Sequence, residues 1–256
     1  MAWSIVGRRF TPEEFGAYAA AQPLTAWKPQ FAVLHNTAVP ALSDRPQGFT
    51  PEHIHNLHGF YLGKGWSGCP HLFVDQNGIW VLNPLSRAGV HSPSWNAVSW
   101  GIEMLGDYNR EAFHTGMGAQ VRDNAMAALA VLCRVGGFPA SVIRFHKEDP
   151  KTTHKTCPGS EVAKEWVISR VQEILSAQAV PQAKLVLYRR GLGDEPAAVI
   201  PIEIRNNTAY ASRALLIEAT DLPLEGAETV PVRDALKGHY SLKWVSETRR
   251  LYAVEL

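Results

Sequence analysis

The stretch that sets the architecture is HLFVDQNGIWVLN, His71 to Asn83. Two short runs rich in branched and aromatic residues flank Gln76-Asn77-Gly78. Asn-Gly is the strongest short hairpin signal, because both residues tolerate positive φ, so an antiparallel pair is predicted here. Upstream, Gln30–His35 (QFAVLH) is an apolar run ending in a polar residue and reads as a buried strand. Downstream, VSWGIEMLG predicts a strand over Val98–Leu105, and SVIRFH a shorter one. Helices fall around them. Thr11-Pro12-Glu13-Glu14 combines an N-cap, a proline at the first helical position and a glutamate able to reach back. Thr50-Pro51-Glu52 starts a second helix. AQVRDNAMAALAVLCRV has helical periodicity and stops at Gly136-Gly137, and an amphipathic helix is expected from about Ser160. One hairpin within a chain that otherwise mixes strands and helices predicts an α/β domain, a mixed β-sheet flanked by helices.

The periodicity weakens over residues 177–184, AQAVPQAK, which read as a linker. The expected organisation is therefore a principal domain over 1–176 and a small C-terminal α+β domain over 185–256. A chain of 256 residues with 46% hydrophobic content can supply both cores. Its 25 basic and 24 acidic residues are balanced, so the broad positive field of a nucleic-acid binder is missing. No apolar run approaches the roughly 18 residues of a membrane span, so no membrane insertion is expected. The opening MAWSIVGRRFTPEEFGAYAA lacks a signal-type apolar stretch. Synthesis in the cytoplasm is expected, with delivery to any outside target by another route. Cys69, Cys133 and Cys157 are too few, and odd in number, for a disulfide framework. Cys69 and Cys133 read as buried or idle thiols. Nothing in the sequence specifies an oligomeric state.

Chemistry-bearing residues gather in three places. His35 ends the QFAVLH strand. Glu103 sits in an apolar strand, where a buried carboxylate is costly unless partnered, although strand alternation could turn it to water. The loop FHKEDPKTTHKTCPG carries His146, His154, Lys155 and Cys157. A histidine and a cysteine eleven positions apart can meet on a metal if the loop folds back. Singly, each has an ordinary structural reading. His53, His55 and His58 of the early helix read as groove wall or surface.

Taken together, FAVLHNT, PHLFVDQNG with AGVHSPSWN, SWGIEMLG and HKEDPKTTHKTCPG resemble the zinc amidase superfamily. That group includes amidase-type phage lysozymes, cytosolic anhydromuropeptide amidases and peptidoglycan-recognition proteins. The resemblance spans roughly residues 25–175 and agrees in order and spacing. It implies the amidase/peptidoglycan-recognition fold, peptidoglycan as partner, and hydrolysis of the amide between N-acetylmuramic acid and L-alanine. It also implies one catalytic Zn2+ on His35, His146 and Cys157, with His154 as the rival for His146. Lys155 matches the family's catalytic lysine, placed to stabilise an oxyanion. Some members carry a tyrosine where this chain has Pro70; others use a glutamate on the GIE strand, and Glu103 stands there as general base and acid. His91 matches a groove-lining position and is expected to bind substrate. Asn36, Thr37 and Asn96 are expected there too, as site supports or turn formers. The C-terminal VPVRDALKGHYSLKW resembles small domains attached to wall amidases, with AYASRALLIEATDLPLE as a degenerate relative. A wall-binding role is implied. The resemblance leaves three readings: an endolysin-type lytic amidase released through a holin or similar route, a cytosolic recycling amidase, and a non-catalytic binding module. The complete set of ligand and acid–base residues favours the first two over the third. The additional domain favours the first.

Overall fold

Helix starts form where the capping residues stand. In the computed structural model, Thr11 Oγ1 accepts from the Glu14 amide (3.2 Å) and the Glu14 carboxylate accepts from the Thr11 amide (2.8 Å). Thr50 caps the next helix in the same manner, with the His53 ring as the reciprocal partner. The structure describes residues 3–179, 183–189, 195–205, 208–225, 227–245 and 250–255. Residues 180–182 of the expected linker lie outside them. Two units form, Met1–Ala177 and Gln178–Leu256.

The first unit runs β1 (Arg8–Phe10), α1 (Pro12–Ala20), β2 (Phe31–Asn36), α2 (Pro51–Gly63), β3 (Leu72–Asp75), β4 (Gly78–Val81), β5 (Ser99–Met104), α3 (Gly116–Gly136), β6 (Arg144–Phe145) and α4 (Lys164–Ala179). Its sheet has the order β1-β4-β3-β5-β2-β6. The β1/β4 and β3/β4 pairs are antiparallel; β3/β5, β5/β2 and β2/β6 are parallel. The hairpin turns at Gln76-Asn77, and Gly78, at φ +147°, opens β4 against the Phe10 carbonyl, where a Cβ would sit 2.5 Å away. Helix α3 ends at Gly137 in the left-handed conformation, the standard glycine stop. It packs on β2, β3, β4 and β5 with Val121, Ala125, Ala128, Leu129 and Leu132 buried. Each large apolar side chain so buried contributes about 1.5–3 kcal/mol.

Two local expectations shift. The SVIRFH strand shortens to Arg144–Phe145, between 3₁₀ turns at Ala140–Val142 and His146–Glu148. Helix α4 begins at Lys164 rather than Ser160, because Ser160 and Glu161 give their amides to Asn109 Oδ1 and the Tyr108 carbonyl.

The register decides which side chains share a face. Phe73, Glu103 and His35 stand side by side across β3, β5 and β2; Gly101 and Val33 form the neighbouring row. Residues two apart in a strand point the same way, so this face carries His35, Glu103 and Phe73. Leu34, Ile102 and Leu72 alternate with them and are fully buried.

The second unit runs β7 (Lys184–Tyr188), β8 (Ala198–Arg205), β9 (Thr208–Ser212), α5 (Arg213–Thr220), β10 (Thr229–Pro231), α6 (Val232–Ala235), β11 (Tyr240–Val245) and β12 (Arg250–Glu255). The sheet order is β10-β9-β8-β7-β12-β11, parallel only at β7/β12. Leu185, Leu187, Ile200, Ile202, Leu251 and Ala253 are buried with Leu216, Val232 and Leu236. The two similar sequence stretches become two strand–helix units, β9-α5 and β10-α6, with Arg213 and Arg233 in the first turns of the two helices. Among the described residues, no helix is long and apolar enough to cross a membrane.

Candidate metal centre and active site

Parallel pairing of β2 with both β5 and β6 brings three strand ends together. His35 is near the end of β2, Glu103 lies directly opposite in β5, and His146 follows β6. The loop after His146 returns Cys157, whose Sγ accepts from the Asn36 amide at 3.4 Å, while the Lys147 amide donates to the Cys157 carbonyl at 3.0 Å. One donor atom from each of His35, His146 and Cys157 lies within 4.8 Å of the others, and all three residues are buried. No other such group of histidine, cysteine and carboxylate side chains occurs among the described residues.

Asp149 shapes that loop. Its Oδ2 accepts from Ser92 Oγ (2.5 Å) and the Ser94 amide (2.9 Å), and its Oδ1 from the Lys151 amide (2.8 Å). Burial pushes the Asp149 carboxyl up, but these hydrogen bonds outweigh it and hold the group at about 2. The His146 loop is thereby tied to the loop of His91.

Charge in the site follows burial. Desolvation keeps His35 neutral, aided by the neighbouring imidazoles, and lowers His146 to about 4 and His91 to about 4. Neutral imidazoles are what a metal requires. Burial pushes the Cys157 thiol far up, with Glu103 adding to it; a bound cation is what turns such a thiol into thiolate. Two imidazoles and one thiolate, on the floor of an open cavity, would match the donor chemistry of a catalytic zinc site. The residues present fit the ion. Burial also raises Glu103 to about 8. Its Oε1 stands 3.7 Å from His35 Nδ1, beyond hydrogen-bond reach.

A cavity of about 480 Å³ opens over this floor. His35, Asn36, Thr37, His91, Glu103, His146, His154 and Cys157 line it, as does Pro70. One wall comes from the end of α2 and beyond: Phe60, Tyr61, Lys64 and Trp66. Tyr61 stacks on Trp66 (centroids 5.3 Å apart, planes at 19°), and Lys64 Nζ lies 4.8 Å above Phe60. Phe60 and Trp66 are 55% and 38% exposed, so aromatic surface faces the space where a ligand would sit. Sequence reading missed this wall. Its signal was the crowding of Phe60, Tyr61 and Trp66 around a glycine-rich helix end, which periodicity does not register.

The remaining expected residues separate. Asn36 and Thr37 line the cavity, but the Asn36 side-chain Nδ2 donates to the Gly106 carbonyl (3.0 Å). Thr37 Oγ1 donates to the Pro40 carbonyl (2.6 Å) and accepts from the Gly106 amide (3.0 Å). Asn96 is not among the lining residues; its Oδ1 accepts from the His91 and Ser92 amides, both at 2.7 Å. Lys155 is exposed and absent from the lining, although His154 and Thr156 on either side belong to it. His154 stacks on His146 (5.3 Å) without joining the three-donor group. His53, His55 and His58 do not line the main cavity; His53 borders a smaller hollow, and His58 bonds the Trp3 carbonyl. Cys69 and Cys133 are buried free thiols.

The sequence model of one family, described as N-acetylmuramoyl-L-alanine amidase, matches residues 25–160. No curated protein matches the chain. Among solved structures, the endolysin amidase LysCS of Clostridium intestinale URNW is 24% identical, with a TM-score of 0.45 over 59% of this chain and 90% of that one. Drosophila PGRP-LB is 20% identical, with a TM-score of 0.44 over 64% of this chain and 92% of that one. The catalytic domain of XlyA is 22% identical, with a TM-score of 0.44 over 59% and 92%.

Proposed function

Because the chain belongs to the N-acetylmuramoyl-L-alanine amidase family, we propose that it is a zinc-dependent, endolysin-type lytic enzyme that cleaves the amide between N-acetylmuramic acid and L-alanine in polymeric peptidoglycan. The observation that carries this reading is the buried His35–His146–Cys157 group on the floor of an open cavity, with Glu103 beside it.

A zinc ion held by these three residues would polarise the scissile carbonyl and make water a nucleophile near neutral pH. Glu103, on the rigid β5 strand and facing the cavity, takes the proton from the attacking water. It then gives that proton to the departing amine of L-alanine, so one carboxyl serves as base and acid in turn. Lys155 supplies a cation to the tetrahedral oxyanion, reaching in from the rim on its flexible four-carbon stem. The aromatic wall of Phe60, Tyr61 and Trp66 offers flat apolar faces to the substrate while Lys64 keeps a cation beside them. The second unit is assigned a wall-anchoring role; the half-buried Tyr188 and Tyr252 rings, 6.4 Å apart and nearly parallel, offer flat faces to a polymer.

The test is digestion of purified sacculi by the zinc-loaded protein, with mass spectrometry of the products and soluble anhydromuropeptide in parallel. Free stem peptides beginning with L-alanine are expected from sacculi. Cleavage of the soluble substrate alone would instead make it a recycling amidase, and cleavage of neither a binding module.

A further inference from the structure

His91 has both ring nitrogens engaged. Nε2 lies 3.3 Å from the Ser99 carbonyl, and Nδ1 lies 3.1 Å from His35 Nε2. A carbonyl only accepts, so the proton of neutral His91 sits on Nε2 and its Nδ1 is a bare acceptor. His35 must therefore donate from Nε2, which leaves the lone pair of its ring on Nδ1. Among the described residues no hydrogen bond claims that atom: the Glu103 carboxyl is 3.7 Å away.

We propose that His91 is a positioning residue that fixes His35 as the Nε2–H tautomer and so presents Nδ1 to the metal. The inference rests on the zinc reading above and adds to it which atom binds and what orients it. Metal-binding histidines usually hand their second N–H to a carboxylate, a backbone carbonyl or water. Here an imidazole intervenes and passes the requirement on to the Ser99 carbonyl.

The surroundings of His91 hold it to that task. Its ring lies over Gly101, where a Cβ would stand 2.3 Å from His91 Cγ, so only glycine leaves the space. Asn96 Oδ1 fixes the His91 and Ser92 amides, and Ser92 Oγ anchors the same loop to Asp149. The rings of His35 and His91 meet edge to face at 5.2 Å and 86°. With both nitrogens committed, His91 lines the cavity without a free polar atom for a substrate.

Two measurements on the full chain test this. Long-range proton–nitrogen correlation of the zinc-free protein should show His35 protonated at Nε2 and bare at Nδ1; the opposite tautomer overturns the proposal. Zinc affinity by chelator competition, and the spectrum of the cobalt-substituted protein, should separate two variants whose folding is checked by circular dichroism. His91→Leu removes the acceptor and should weaken zinc by about 10–100-fold, with an altered cobalt spectrum. His91→Asn keeps an acceptor at the δ position and should stay within a few-fold of the parent. Equal losses in the two variants, or none in a folded His91→Leu, would mean that the ring only fills space. Neither measurement requires turnover, so a protein that cleaves no sacculi yet gives these results keeps the positioning role and loses the amidase reading.

Discussion

The two units of the chain bury different things. Met1–Ala177 closes over His35, Asn36, His71, Asp75, Asn83, His91, Ser92, Ser99, His146, Asp149 and Thr152, whereas Thr220 is the one buried polar side chain of Gln178–Leu256 among the described residues. Thr220 merely returns its hydroxyl to the Leu216 carbonyl one turn earlier. Polar burial without a partner costs about 1–3 kcal/mol per group in proteins, so a domain that accumulates it must satisfy each group. The first unit does so largely with loops, leaving Arg45 Nε, Gln76 Oε1 and Ser94 Oγ as buried side-chain atoms without a hydrogen-bond partner among the described residues. Asp75 accepts from the Phe49 and Asn77 amides and from the Trp80 indole; Asp149 and Asn96 serve the site similarly. Asp75 also shows that a buried charge can be pure scaffolding, since it ties the hairpin to the chain before α2. The second unit needs little of this, because apolar side chains of its strands, with Leu216 of α5, Val232 of α6 and Leu236, close its core. Polar burial marks where one unit was shaped around chemistry.

The contrast can be broken most severely at Cys157, one of the three residues proposed to hold the metal. Cys157→Ser should abolish turnover of sacculi and lower zinc content, read by metal analysis, while leaving the amide protection of the second unit unchanged in hydrogen exchange. Activity at the parent level in that variant would remove the metal from the mechanism. Glu103→Gln separates chemistry from scaffold: kcat should fall by roughly 10²–10⁴-fold with zinc retained. Lys155→Met should cost about 10²-fold in kcat with KM little changed, and an unaffected rate would show that the oxyanion is held without it.

In the second unit the large effect should come from apolar truncation. Leu185→Ala empties a fully buried position and should destabilise that unit by about 2–5 kcal/mol, read from its exchange protection or melting. The smallest effect concerns pH. Burial holds His71 neutral down to about 3, while its Nδ1 accepts from the Gly101 amide and its Nε2 donates to the Arg87 carbonyl. An unfolded imidazole titrates near 6.5, so below that pH the unfolded chain binds a proton that the folded chain refuses. The His71 contribution to stability is complete above about 6.5 and declines by up to ~1.4 kcal/mol per pH unit, levelling near 3. Denaturant midpoints of the first unit against pH should show this slope, less steep in His71→Gln. An identical slope in both proteins would assign the acid sensitivity to other groups.

Much of this was legible one element at a time. Caps at Thr11 and Thr50, the Asn-Gly hairpin, the glycine stop of α3 and the alternation of Leu34 with His35 are local effects, encoded within a few residues of where they act. The sheet's first strand, Arg8–Phe10, was not legible, because three residues carry no period and exist as a strand only by pairing with β4. The late start of α4 was equally hidden, since its amides are claimed by Tyr108 and Asn109 from far along the chain.

The same division runs through the site. The sequence by itself determined the fold class and which residue types could hold a metal, because hydropathy period and donor chemistry belong to the residues themselves. Only the tertiary structure decided which of them meet. It set Glu103 beside His35 through parallel register, closed an eleven-residue separation onto one floor, placed an aromatic wall opposite and directed His91 at His35. These are contacts between distant segments, and no local propensity encodes the direction in which a side chain points across a cavity.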